Sequence, residues 1–114
     1  MAPTDLEDWF HVRWDDVAVQ LDVSPPGRES WRARFEWSSV SRVCFKAEDL
    51  LMSDGIYVFT AQRPESYAIP MEADGGAELW DELVRRGLFD AELAIRAAGA
   101  AEGLFCWPEA EEGD

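Results

Sequence analysis

Apolar side chains recur at about every second position in the first 70 residues of the chain and at helical spacing after that. A period near 2 is typical of strands with one face in the core, and a period near 3.6 is typical of amphipathic helices. The single change of period predicts an antiparallel sheet followed by helices, which is the α+β class.

Six segments of the first part have the pattern of strands and are separated by turn-forming residues. The most regular alternation is that of Val17, Val19, Leu21 and Val23 with Ala18, Gln20 and Asp22. A short turn is predicted over 48–52, and the strand after it is apolar on both faces, which indicates a central position. The predicted strands are 9–14, 17–23, 31–37, 40–46, 56–60 and 66–70.

Two amphipathic helices are predicted after the strands. Asp74 is the predicted N-cap of the first helix, which ends at the cationic and glycine-containing segment 85–87. Its apolar stripe consists of Leu79, Trp80, Leu83 and Val84. Asp90 is predicted to cap a second helix over 91–98. The apolar segment 104–107 is predicted to dock across an open edge or end of the sheet.

Two sequence runs within this order of elements are similar to those of a known fold. They are Trp-Ser-Ser-Val-Ser-Arg-Val at 37–43 and Ile-Tyr-Val-Phe-Thr at 56–60. The chain resembles the pleckstrin-homology-like (PH-like) fold of small bacterial proteins over residues 9–87, with 74–87 in the place of the capping helix. The resemblance implies a strongly bent antiparallel sheet of five to seven strands, a PH-like barrel, closed by a C-terminal helix. A second short helix follows that helix here.

The chain has 114 residues, of which 47% are hydrophobic, so we expect one folded domain over 1–108. The acidic segment 109–114 is predicted to be a disordered tail. No secretory signal and no membrane-spanning run is visible, and a cytoplasmic location is therefore predicted. In a reducing compartment Cys44 and Cys106 are interpreted as small buried hydrophobic residues rather than as a disulfide.

The balance of 10 basic and 24 acidic residues gives a net charge of -14. Such a charge repels nucleic acids and anionic lipids, so neither nucleic acid nor a membrane is an expected partner. His11 is the only histidine, which leaves no pattern for a catalytic triad or a zinc site. The acidic loops near 48–54 and 72–76 lack the ligand spacing of an EF-hand. No catalytic residue, metal or cofactor is predicted.

The segment 28–46 reverses the charge of the rest of the chain, with five basic side chains against two acidic ones. Arg32 and Arg34 share one face of a predicted strand, and Arg42 follows on the next strand. One interpretation is that these arginines pair with acidic neighbours such as Asp22 or Glu36 across the sheet. The other is that Arg32, Arg34 and Arg42 bind an anionic ligand.

Six tryptophans are many for this length, and tryptophan is a common anchor of protein interfaces. Trp14 has few apolar neighbours in the sequence. It is predicted to be exposed, together with Asp15 and Asp16, as part of a partner-binding surface. The leading hypothesis is a non-enzymatic interaction module that binds a protein partner, a basic one in particular, or a second copy of the chain. The alternatives are a small-molecule or anion sensor that uses the arginine face, and an enzyme that uses carboxylates.

Overall fold

The strands and helices come from a computed structural model that describes residues 6–47 and 54–108. All six predicted strands and both predicted helices are present there, and one further strand follows. The predicted turn at 48–52 and the predicted tail at 109–114 lie outside the described residues. The elements are β1 (Phe10–Trp14), β2 (Ala18–Val23), β3 (Trp31–Glu36), β4 (Val40–Ala47), β5 (Gly55–Thr60), β6 (Arg63–Pro70), α1 (Gly76–Arg85), α2 (Ala91–Ala98) and β7 (Gly103–Trp107). Short 3-10 helices lie at Leu6–Asp8 and Trp37–Ser39.

The first sheet is antiparallel and has the order β1-β2-β3. On β2 the side chains of Val19, Leu21 and Val23 are buried and those between them are exposed, which confirms the predicted alternation there. Val17, by contrast, precedes the strand and is 55% exposed. Its backbone N–H donates to the carboxylate of Asp15 at 2.9 Å, so the residue belongs to the turn rather than to the sheet.

The second sheet is also antiparallel and has the order β6-β5-β4-β7. Ile56 and Val58 of β5 are fully buried, as the predicted central position of this strand requires. The segment 103–107 pairs with β4, with Phe105 opposite Phe45. The predicted docking of 104–107 on an open edge of the sheet is therefore confirmed, and the docked segment is itself a strand.

The α+β class and the antiparallel pairing are confirmed, but the prediction of one closed, bent sheet is wrong. The strands form two sheets, of three and four strands, and the second sheet is not closed. The separation occurs between β3 and β4, where the 3-10 helix Trp37–Ser39 stands in place of a hairpin turn. The Trp37 N–H donates to the carbonyl of Val17, and the carbonyl of Ser39 accepts from the Ala61 N–H. The chain thus leaves the first sheet at Trp37 and enters the second at Val40.

The core is made of the buried faces of both sheets and of the apolar stripe of α1. Phe35 of the first sheet stacks on Tyr67 of the second, with ring centroids 4.8 Å apart. Leu79 and Leu83 of α1 are fully buried, in agreement with the predicted stripe. Trp80 lies between two aromatic rings, with its centroid 4.8 Å from that of Phe45 and 4.6 Å from that of Phe89. No helix in the described part of the chain is long and apolar enough to span a membrane.

The start of α1 differs from the prediction, because Asp74 is not its N-cap. Gly75 occupies that position, and no side chain caps the helix. Gly75 has φ +87°, and a Cβ at this position would collide with the backbone carbonyl of Val12. The predicted cap of α2 is confirmed, since the Asp90 carboxylate accepts a hydrogen bond from the Leu93 N–H at 2.9 Å.

The interpretation of the two cysteines as unlinked thiols is also wrong. Cys44 on β4 and Cys106 on β7 lie directly opposite each other in the antiparallel pair, with their Cα atoms 4.0 Å apart, and they form a disulfide. The two residues are 62 positions apart in sequence. Their proximity depends on the pairing of β7 with β4, which the local sequence pattern does not reveal.

Candidate functional site

Four carboxylate side chains line one cleft of about 510 Å³ beside the start of α1. Glu7 comes from the first 3-10 helix, Glu72 and Asp74 from the turn after β6, and Glu78 from the first turn of α1. Leu6 and Met71 contribute apolar surface to the same cleft. We call this cleft, defined by Glu7, Glu72, Asp74 and Glu78, the acidic groove.

Asp74 attaches the groove to β1 through its side chain and its backbone. Its Oδ2 atom lies 2.8 Å from Nδ1 of His11 and 2.8 Å from a terminal nitrogen of Arg13. Its backbone carbonyl accepts from the Val12 N–H at 2.8 Å, and its N–H donates to the carbonyl of Phe10 at 2.9 Å. The hydrogen bond from His11, and after it that from Arg13, lowers the pKa of the Asp74 carboxyl group. The carboxyl group is therefore ionised at neutral pH, and its contacts with His11 and Arg13 fix its orientation.

The other three carboxylates of the groove are differently placed. Glu7, Glu72 and Glu78 are exposed to solvent, and none of them forms a hydrogen bond or ion pair with another described residue. Three unneutralised negative charges at one cleft attract cations, and the apolar side chains beside them offer contact to the methylene groups of lysine or arginine. The groove is suited to a basic segment of another protein.

Trp14 is adjacent to the acidic groove, although it is less exposed than predicted. It is half-buried and packs against the core, whereas Trp31 and Trp107 are the exposed tryptophans among the described residues. A second cleft of about 350 Å³ is lined by Trp14 and also by Asp74 and Glu78, which are residues of the groove. An aromatic ring therefore borders the carboxylates on the side of β1.

The two aspartates predicted to act with Trp14 have different environments. The Asp15 carboxylate accepts hydrogen bonds from the N–H groups of Ala18 and Val17, at 2.9 Å each, and these bonds lower the pKa of Asp15. Its backbone carbonyl accepts from the Trp37 indole N–H at 2.8 Å. Asp15 thus organises the turn between β1 and β2. Asp16 is exposed beside it.

Arg32 and Arg34 share the outer face of the first sheet, as predicted. The pairing of strands places Arg32 in one row with Asp22 and His11, and Arg34 in the next row with Gln20 and Arg13. These two rows border a depression of about 410 Å³. The nearest acidic oxygen is 3.6 Å from Arg32, on Asp22, and 3.9 Å from Arg34, on Glu36. The contact of Arg32 with Asp22 is the cross-strand pairing of the first interpretation, whereas Glu36 lies on the same strand as Arg34.

Arg42 does not join the other two arginines. It belongs to β4 of the second sheet, and its Nε atom donates to the backbone carbonyl of Pro108 at 3.0 Å. Arg13, which was not predicted, lies with Arg32 and Arg34 on the outer face of the first sheet instead. Sequence spacing could not identify this residue, because its position opposite Gln20 depends on the register of β1 and β2.

Three residues of the acidic groove, Glu7, Glu72 and Glu78, were not predicted as a site. Glu7 is far from the other two in sequence and approaches them only when the first 3-10 helix packs beside the turn after β6. The available local signal was the acidic segment 72–74 directly before a helix. Among the described residues no group of three or more His, Cys, Asp or Glu side chains is arranged to hold a metal ion.

Comparisons of the chain with protein-family models, with curated proteins and with solved structures give no match.

Proposed function

We propose that the chain is a non-enzymatic interaction module that binds a basic protein partner in the acidic groove. The observation that carries this proposal is the convergence of Glu7, Glu72 and Glu78, exposed and unpaired among the described residues, on a cleft bordered by Trp14. The net charge of -14 supports it, because long-range attraction accelerates association with a positively charged partner.

Binding in the groove would combine charge with apolar contact. Lysine or arginine side chains of the partner would face the three glutamates, while their aliphatic stems would lie on Leu6 and Met71. The ring of Trp14 offers a surface for a guanidinium or ammonium group at the neighbouring cleft. Asp74 is already engaged by His11 and Arg13, so its role is to hold the groove in place rather than to bind the partner.

The test compares three forms of the protein as bait for proteins from a lysate of the source organism. They are the wild type, a groove variant with Glu7→Gln, Glu72→Gln and Glu78→Gln, and a control variant with Glu65→Gln, Glu92→Gln and Glu102→Gln. The control glutamates are also exposed and lie outside the groove, so both variants have the same net charge.

The proposal expects a basic protein, identified by mass spectrometry, that the wild type and the control retain at low salt and the groove variant does not. Raising the salt to 1 M, where the screening length falls to about 3 Å, should release it. Equal losses in the groove and control variants would reduce the effect to overall charge and contradict a specific groove. Retention by all three forms would also contradict it.

An anion-binding function of the outer face of the first sheet is the second candidate, because the strand register places Arg13 in the same row as Arg34 and next to the row of Arg32. Phosphate or a carboxylate could bridge guanidinium groups placed in this way. A phosphate titration followed by NMR tests it. Shifts that disappear in an Arg32→Ala, Arg34→Ala variant with an unchanged fold would favour this function over the first.

The PH-like affiliation, the bacterial origin and the cytoplasmic location remain predictions. The Cys44–Cys106 disulfide weighs against the last of these, because structural disulfides persist in oxidising compartments and are rare in the cytosol. Alkylation of the thiols in intact cells, followed by a gel-shift measurement, decides the question. A fully blocked pair indicates the cytoplasm, and a protected pair indicates an oxidising compartment.

A further inference from the structure

Another cleft, of about 330 Å³, differs from the acidic groove in its lining. Its surface is mainly apolar, and it contains the aromatic side chains of Trp9, Trp31 and Tyr57. We call the cleft defined by these three residues the aromatic pocket. Its volume lies within the range of about 300–1,000 Å³ that is typical of small-molecule sites. Leu6 lines both clefts, so the aromatic pocket and the acidic groove are neighbours.

The two tryptophans of the pocket are held in place by a buried ring. Phe10 is 5% exposed, and its centroid lies 6.1 Å from that of Trp31 in an edge-to-face arrangement. The Trp9 ring is tilted against the same phenylalanine at 6.2 Å. Trp31 is nevertheless 45% exposed, although it lies in one row with the buried residues Val23 and Phe10. An indole that is fixed by packing but open to solvent is well placed for contact with a ligand.

Tyr57 contributes the third ring, and Gly55 provides the space for it. A Cβ atom at position 55 would lie 3.2 Å from Cε2 of Tyr57, which is closer than ordinary van der Waals contact. The absence of a side chain at Gly55 thus lets the tyrosine ring lie against the backbone at the start of β5.

The negative charge around the aromatic pocket favours cationic over anionic ligands. The acidic groove begins on the other side of Leu6, and the chain as a whole carries a charge of -14. Anionic ligands are therefore repelled. The faces of aromatic rings are electron-rich and attract ammonium groups, most strongly when the ring is an indole.

We propose that the aromatic pocket binds an organic cation, namely an alkylated ammonium group held among Trp9, Trp31 and Tyr57. This proposal does not depend on the function of the acidic groove. The same chemistry occurs in free quaternary ammonium compounds and in methylated lysine side chains of proteins, and the experiment separates these two sources.

Choline is a suitable first probe, with its uncharged carbon isostere 3,3-dimethyl-1-butanol as the matched control ligand. Titration of ¹⁵N-labelled protein, followed through the indole N–H signals, should show shifts at Trp9 and Trp31 with choline. The isostere has the same shape without the charge, so it should bind at least about 5-fold more weakly if the cation is recognised by the rings. Equal affinity for the two compounds would overturn the proposal.

Trp31→Ala should weaken choline binding by about 5- to 30-fold, which corresponds to the usual strength of a cation–π contact. Trp31→Phe keeps a ring and should retain part of the affinity. Trp107→Ala removes an exposed tryptophan outside the pocket and should leave the affinity unchanged. Gly55→Ala leaves all three rings present but requires the Tyr57 ring to shift by a few tenths of an ångström, so only a small loss of affinity is expected. Unchanged choline affinity in Trp31→Ala would overturn the proposal.

A blocked trimethyllysine, N-acetylated and C-amidated, tests the source of the cation. Tighter binding of this compound than of choline assigns the pocket to a modified lysine of a protein, and the reverse order assigns it to a free small molecule. If neither compound binds more tightly than the uncharged isostere, the pocket does not recognise cations and the proposal is wrong.

Discussion

The Asp74 carboxylate lies 2.8 Å from the His11 ring nitrogen Nδ1, and these two residues are 63 positions apart in sequence. The contact joins β1 to the turn that precedes α1, and Arg13 forms an ion pair with the same oxygen. Asp74 does not cap α1. Its carboxylate instead attaches the start of this helix to the first sheet. The acidic groove has its position because of this arrangement.

The stability of this connection should depend on pH through Asp74. His11 and Arg13 hold the pKa of its carboxyl group below the ordinary value of about 3.9. A depressed folded-state pKa contributes stability above the unfolded-state value, and the contribution is lost as the pH falls through the folded-state value. Urea unfolding should therefore show Asp74→Asn to be less stable than the wild type at pH 7, with a difference that shrinks below about pH 4.

Asp16→Asn is the control for this measurement, because Asp16 is exposed and forms no hydrogen bond or ion pair with another described residue. It should unfold with the wild type at both pH values. A difference between Asp74→Asn and the wild type that is the same at pH 3 and pH 7 would show that the ionised carboxylate is not what stabilises the contact.

Gly75→Ala should destabilise the protein by more than about 1 kcal/mol, because an alanine at φ +87° is strained and its Cβ meets the Val12 carbonyl. Gly99→Ala is the matched control. Gly99 has φ -91°, and the nearest atom to an added Cβ is 3.9 Å away, so this variant should gain about 0.4–1 kcal/mol. Denaturant unfolding of both variants tests the pair, and equal effects would contradict the assigned backbone conformation.

Local signals were sufficient where sequence neighbours decide the structure. Asp90 caps α2 because its partner, the Leu93 N–H, is three residues away, and the sequence pattern contains both. Asp74 has the same local signal, but His11 and Arg13 compete for its carboxylate from a distant strand. A tertiary contact thus overrides a local preference, and no reading of the segment 72–78 alone could show it.

The candidate site was predictable only in part for the same physical reason. Strand alternation placed Arg32 and Arg34 on one face correctly, since a period of 2 is a property of each strand by itself. Glu7 and Glu78 line the same cleft only because the folded chain brings the first 3-10 helix near the turn after β6. The break between the strands 31–37 and 40–46 was predicted, but its conformation as a 3-10 helix and the resulting division into two sheets depend on contacts with Val17 and Ala61, which are distant in sequence.

Asp90→Ala should lower the free energy of unfolding by about 1 kcal/mol, the usual cost of losing an N-cap. The variant loses the hydrogen bond to the Leu93 N–H and leaves that donor without its partner. Asp81→Ala is the control, since Asp81 is exposed within α1 and caps nothing. Chemical denaturation followed by circular dichroism measures both. An Asp90 variant as stable as the control would show that the cap does not contribute.

The Cys44–Cys106 disulfide should contribute about 4 kcal/mol to stability, because it closes a loop of 62 positions and so restricts the unfolded chain. Replacing both cysteines by alanine should lower the urea midpoint accordingly, and dithiothreitol should lower that of the wild type by a similar amount. The double variant should not respond to dithiothreitol, which separates reduction from other effects of the reagent.

Because β7 pairs only with β4 and is largely exposed, hydrogen exchange should increase first at residues 103–107 when the disulfide is reduced. Faster exchange that begins elsewhere in the second sheet would contradict the role of the disulfide as the attachment of its C-terminal strand.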